Sequence, residues 1–213
     1  MTNKILELIK EKYPLTPVDA GKFAKLTVNG MTFKIEAYKA AGLGHVSIMR
    51  AKGFFGLMKM DTLIVNPTEI DLPLYSYDRI FAMGNDTLIV ELYDTIVDHY
   101  DDYALSQVKT KYDDLPERDP GEHWYDSIKL DSSISKKGRR ITDKLDSLAL
   151  EHFSAYLSSS DTPVSDRKAK MDNASRYVVK LVGNGGPSTD VFIKKIGLRD
   201  TADLFVNILF GVD

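Results

Sequence analysis

The stretch DLPLYSYDRIFAMGNDTLIVELYDT, residues 71–95, decides how the chain is to be read. Two hydrophobic runs flank Gly84-Asn85, and that arrangement predicts an antiparallel hairpin. If Gly84-Asn85 is its two-residue loop, Asp78 sits directly across from Glu91 with both side chains on one face of the sheet. A loop one residue longer would set Leu92 or Tyr93 there instead. Two carboxylates at cross-strand distance do not both ionise cheaply, so one of them would hold a proton at neutral pH, as a general acid must. The plainer reading is a pair of solvated acids near a sheet end.

Outward from this hairpin the strand chemistry continues. Asn29-Gly30 separates KLTV from MTFKIEAYK and predicts another hairpin. HVSIMRA (45–51) and LMKMDTLIV (57–65) supply two more strands. Short connections between successive runs imply a meandering antiparallel sheet. A short helix over 3–12 precedes it and is stopped by Pro14. After about residue 95 the texture turns helical. DHYDDYALSQVKTKYDDL predicts a helix with Tyr103, Leu105, Val108 and Tyr112 inward, and 114–141 reads as loop anchored by Trp124. Helices are then predicted over 141–157 and 165–182, followed by two short ones that end at Gly197 and Gly211. Strands first and helices later make an α+β chain, read as a single domain with a sheet-forming part about 20–95 and a mainly helical part about 96–213.

Composition narrows the function. With 213 residues, 43% hydrophobic and 28% charged, the chain is that of a folded protein. A net charge of −3 gives no bulk reason to expect nucleic acid or an anionic membrane as partner. The absence of cysteine excludes disulfides, thiolate nucleophiles and cysteine-held metals. The N-terminal residues lack a signal-peptide core and no apolar run is long enough to span a bilayer, so a cytoplasmic protein is expected. His45, His99, His123 and His152 have no metal-ligand spacing, and no metal site is expected; His152 reads as surface or half-buried, and His45, at the head of a strand, is the one to watch. The acidic run around His99 fits a helix N-terminus better than a cation loop. NGGPSTD (184–190) lacks a P-loop lysine and reads as a helix–helix joint. KKGRR, with Lys136, Lys137, Arg139 and Arg140, reads as an exposed basic cluster suited to an acidic partner or a ligand carboxylate.

A strand ending in Asn66-Pro67, then TEIDLPLYSYD, a hydrophobic strand and VELYDT together resemble the ferredoxin-dependent bilin reductases and the related red chlorophyll catabolite reductases. Asp71, Leu72, Pro73 and Tyr75 match that framework, Asp78 falls on its catalytic aspartate, and Glu91 falls on the acid ending the next strand. YALSQVKTKYDDLPER with Trp124, and the C-terminal NGGPSTDVFIKKIGLRDTADLFVNILFG, resemble later parts of the same superfamily in the same order. The resemblance implies an α/β/α sandwich with a central antiparallel sheet. It implies an enzyme that reduces a linear tetrapyrrole such as biliverdin with single electrons from ferredoxin or flavodoxin, without bound flavin or metal. Asp78 would be the proton donor, tuned by Glu91 or Asp61, and the KKGRR cluster would meet the acidic electron donor. A monomer or weak dimer is expected. The sequence departs from the family where Thr62 stands in place of a histidine and Arg50 near the place of a glutamate. Arg50 and Thr62 become candidate ligand contacts, Arg50 toward a propionate. Tyr75 and Tyr77 read either as pocket lining or as core. A carrier that binds the tetrapyrrole without reducing it is the alternative.

Overall fold

The computed structural model describes the backbone of residues 1–213 and every side chain except those at positions 187 and 188, which fall within the 184–190 joint. In chain order the elements are α1 (Thr2–Lys12), β1 (Leu15–Val18), β2 (Lys25–Val28), β3 (Met31–Ala40), β4 (Gly44–Gly53), β5 (Met58–Pro67), β6 (Leu74–Ala82) and β7 (Asn85–Tyr93). Then come α2 (Tyr103–Lys111), β8 (Ile134–Gly138), α3 (Thr142–Ser158), α4 (Arg167–Asn184) and α5 (Pro187–Asp203), followed by a final turn of π-helix, Leu204–Leu209. The sheet is antiparallel in the order β1-β3-β4-β5-β6-β7-β8, and β2 pairs beside β1 along the length of β3.

Strict alternation along these strands sends two different sets of side chains to the two faces. Ile48, Leu63, Tyr75, Tyr77, Leu88 and Val90 pack under α1, α2 and α3. Phe33, Met49, Ile64, Leu74 and Tyr93 pack under α4, α5 and the C-terminal turn. The result is the α/β/α sandwich that the resemblance implies.

The Asn29-Gly30 hairpin forms as read, with φ of 50° and 76° at its two central residues. The second hairpin does not. Its turn is Met83-Gly84, at φ 52° and 74°, so Ala82 pairs with Asn85 and Asp78 faces Ile89. A right-twisted hairpin favours a turn with both central residues left-handed, and glycine is best used second, which draws Met83 into the first position. Glu91 faces Ser76 instead. Three further expectations are corrected. The 114–141 stretch contains β8, because Ile134 and Lys136 alternate into the core. His152 is fully buried, held between the Tyr75 hydroxyl and the Ser132 carbonyl. Tyr103, expected inward, is exposed. The predicted break between the last two helical segments falls at Gly197, where φ is 81°.

The C-terminus is clasped by polar side chains from the sheet. His45 Nε2 donates to the Ile208 carbonyl at 2.8 Å, Ser47 to Leu209 at 2.7 Å, and Asn66 to Phe210 at 2.8 Å. These three consecutive carbonyls end the last helical turn and would otherwise be buried without donors. Since a carbonyl only accepts, Nε2 carries the His45 proton, and burial keeps the ring's pKa below its ordinary value. Gly211 follows at φ 58°, where an added Cβ would lie 2.4 Å from the His45 ring. Gly211→Ala is therefore expected to cost at least about 2 kcal/mol in urea unfolding, from strain and from displacement of the clasp.

Candidate functional site

Over β1–β4 the C-terminal helices cover the sheet, and Ile35 and Met49 are buried. Over β5–β7 the cover is incomplete. Met60, Ile80 and Ile89 are only half-buried although they belong to an interior face. In this strip one row across the sheet reads Met49, Thr62, Asp78, Ile89, Ser135. Asp78 is half-buried and accepts a very short hydrogen bond from the Thr62 hydroxyl, its direct cross-strand partner. Glu91, diagonal to Asp78 because it lies two residues beyond Ile89, shares the face.

Burial pushes the Asp78 carboxyl up to about 6; the Thr62 hydrogen bond pulls it down, and the negative charge of Glu91 adds to the rise. The register shift thus leaves the electrostatic coupling in place, because a displacement of the pairing by an even number of residues preserves the face. Glu91→Gln is expected to lower the Asp78 pKa, visible as a shifted titration of its carboxyl carbon by NMR.

A wall of aromatic rings closes this strip toward the C-terminal helices. Tyr93 donates from its hydroxyl to Glu91 at 2.6 Å and stacks on Tyr177 of α4 with ring centres 4.3 Å apart. Tyr125 meets Tyr93 edge-on at 5.5 Å, and Trp124 meets Tyr125 edge-on at 5.2 Å. Trp124 also donates from its indole nitrogen to the Gly185 carbonyl, so the loop before β8 is tied to the end of α4. Toward Asp94, behind the wall, lies a cavity of about 240 Å³ lined by Ile96, Trp124, Tyr125, Tyr177, Arg176 and Lys180. That is less than the roughly 300–1,000 Å³ of ordinary ligand pockets. The reactive-looking surface is the open strip rather than this cavity.

Not every candidate gathers here. Asp78, Glu91 and Thr62 do. Arg50, Asp61, Tyr75 and Tyr77 point to the opposite face, one residue out of phase with Asp78. Arg50 pairs there with Glu36 at 2.8 Å and with Asn3 of α1. Tyr75 and Tyr77 are fully buried against α3, with Tyr75 packed on Phe153 and Tyr156. The core alternative for the tyrosines is the one the fold takes, and none of these four reaches a ligand on the Asp78 side. Of the basic cluster, Lys137, Arg139 and Arg140 are exposed, but Lys136 is buried, donating to the Leu115 carbonyl and Glu117. The wall residues Tyr93, Tyr125 and Tyr177 escaped the sequence reading. Tyr93 had a usable signal, standing two residues after Glu91 on the same strand face; Tyr177 comes from a distant helix and had none.

The acidic run around His99 caps and turns the backbone. Asp94 accepts from Ile96, Asp101 from Tyr103, and Asp98 from Ser165. Among the described residues, no three His, Asp or Glu side chains converge to hold a metal ion, and no helix is long and apolar enough to cross a membrane.

The architecture and the site define a class before any particular relative: a three-layer sandwich with an acid on an incompletely covered sheet face. A solved structure of phytochromobilin synthase from tomato in complex with biliverdin has this fold, with a TM-score of 0.76, 16% sequence identity, and coverage of 99% of this chain and 82% of that one. No protein-family model and no curated protein matches the chain.

Proposed function

We propose that the protein binds a linear tetrapyrrole of the biliverdin type over β5–β7 and reduces it, with Asp78 as the proton donor. The observation that carries this reading is the Asp78 carboxyl itself. It stands half-buried on the uncovered strip with its pKa pushed up to about 6, among apolar side chains that suit a flat conjugated ligand. The likeness in fold to a biliverdin complex supports the ligand class.

Reduction of one double bond takes two electrons and two protons. Ferredoxin or flavodoxin would deliver the electrons singly, and the protein needs no bound flavin or metal of its own in this scheme. Asp78 passes its proton to the ligand radical, and Thr62 and Glu91 govern the balance between its acid and carboxylate forms. The second proton and the one that restores Asp78 come from water reaching the open strip. Lys137, Arg139 and Arg140 are the exposed cations available to an acidic electron donor.

Thr62, which cannot relay a proton as a histidine would, favours a second reading in which the ligand is held but not reduced. Anaerobic titration with biliverdin followed by reduced ferredoxin separates the two. Binding and then loss of the long-wavelength band is the expected result. Binding without bleaching assigns a carrier, and no binding overturns both.

A further inference from the structure

The sheet ends in an apolar edge that the tetrapyrrole reading leaves unused. The β4–β5 turn exposes Phe54 (57%), Phe55 (109%) and Leu57 (68%), and the neighbouring β6–β7 turn exposes Met83 (88%). The two turns are adjacent because Met58 pairs with Ala82 and Lys59 with Phe81, and Phe81 adds its own exposed edge. Phe54, Phe55 and Met83 all have positive φ, between 51° and 56°. Large non-glycine residues are uncommon in that region, so the backbone spends energy to hold them outward. These side chains project from turns rather than lining a groove.

Charge is sorted along the same axis. Lys52 and Lys59 face each other at the base of the β4–β5 turn, and Lys137, Arg139 and Arg140 leave β8 beside the β6–β7 turn; all five are exposed. Of the acids there, Asp86 is buried and bonded to Arg79 and Thr142, Glu117 pairs with Lys136 and Asp114 with Lys144, while Asp143 is exposed, so the cations outnumber the acids. At the opposite end of the sheet, the segments 94–102 and 159–166 carry Asp94, Asp98, Asp101, Asp102, Asp161 and Asp166, and the cations that follow, Arg167 and Lys168, are paired with Glu69 and Asp172. A net charge of −3 therefore conceals a basic end and an acidic end.

From this we infer that the β4–β5 and β6–β7 turns seat the protein on an anionic phospholipid surface. The phenylalanines, Leu57 and Met83 enter the interface, and Lys52 and Lys59 meet the headgroups. A fluid lipid surface accepts projecting tips, whereas a protein partner would need matching hollows for each of them. The separation of charge orients the molecule with its acidic end away from the membrane. The bulk charge gave no sign of this, because the fold does the sorting.

The test is co-sedimentation of the whole protein with vesicles of phosphatidylcholine alone or mixed with phosphatidylglycerol. Binding to the mixed vesicles only, weakening with salt, is expected. Phe54→Asn with Phe55→Asn keeps residues that tolerate positive φ and should lower the affinity at least roughly tenfold. Lys52→Gln and Lys59→Gln should lower it roughly fivefold each. Failure of the wild type to bind mixed vesicles at low salt overturns the proposal. So does a double phenylalanine variant that binds vesicles as well as wild type. None of these readouts depends on biliverdin binding, so the two proposals fail separately.

Discussion

Asp78→Asn is expected to leave biliverdin bound and unreduced. The amide keeps the shape of the side chain and still accepts from Thr62, so the ligand surface survives, but it has no proton to give. General acids contribute about 10²–10⁴-fold to rate, and a loss of that order in single-turnover reduction is the predicted outcome. The same substitution should stabilise the fold at alkaline pH. Below about pH 4 the carboxyl is neutral in both folded and unfolded chains, and the change is without effect. Between there and about 6 the unfolded chain ionises first, so the native state loses stability as pH rises; above 6 it holds a poorly solvated charge. Asp78→Asn removes that cost, about 2 kcal/mol after allowing for the water that still reaches the group. A loss of activity joined to a gain in stability that disappears in acid distinguishes a functional acid from a structural one. Full activity in the variant would remove Asp78 from the chemistry.

The second large effect belongs to the other aspartate of the opening stretch. Asp71 is buried and accepts from the backbone nitrogens of Val97 and Asp98, at 3.0 Å and 2.6 Å, and from Lys170 at 3.0 Å. Lys170, on α4, has no exposed surface and also donates to the Leu72 carbonyl. This pair fastens α4, with its Tyr177, to the connection that leads into β6. Lys170→Met leaves a buried carboxylate without its cation and should cost about 3–5 kcal/mol in urea unfolding. Asp71→Asn added to Lys170→Met removes the stranded charge and should recover about half of that loss or more. A single variant within about 1 kcal/mol of wild type would show that the pair contributes no stability of this kind.

Much of this architecture was legible in residues 71–95 and their surroundings, because alternation and turn residues are local signals. The Asn29-Gly30 turn, the meander, the long helices and the break at Gly197 all follow from such signals. The sandwich came from the ordered resemblance rather than from periodicity. The site was half legible. Asp78 and Glu91 share a face despite the shifted turn, since the shift was an even one. Tyr75 and Tyr77 were left between pocket and core because alternation says that they oppose Asp78 but not which face holds the ligand. Arg50 fails for the same reason: it is out of phase with Thr62 across the β4–β5 pair. Lys136 looked exposed by composition, yet its strand turns it inward to a carbonyl and a glutamate. The tyrosine wall joins β7, the loop before β8, and α4, and long-range packing of that kind has no local signature.

The central claim is that a protonated Asp78 faces the tetrapyrrole. Carbon-13 NMR of the aspartate carboxyls, with Asp78 assigned by its Asn variant, tests it most directly. The free protein should show an Asp78 titration near pH 6, and saturation with biliverdin should move it higher as the ligand displaces water from the strip. An Asp78 signal that titrates near pH 4, or one left unchanged while biliverdin is bound, would contradict the account and place the ligand elsewhere.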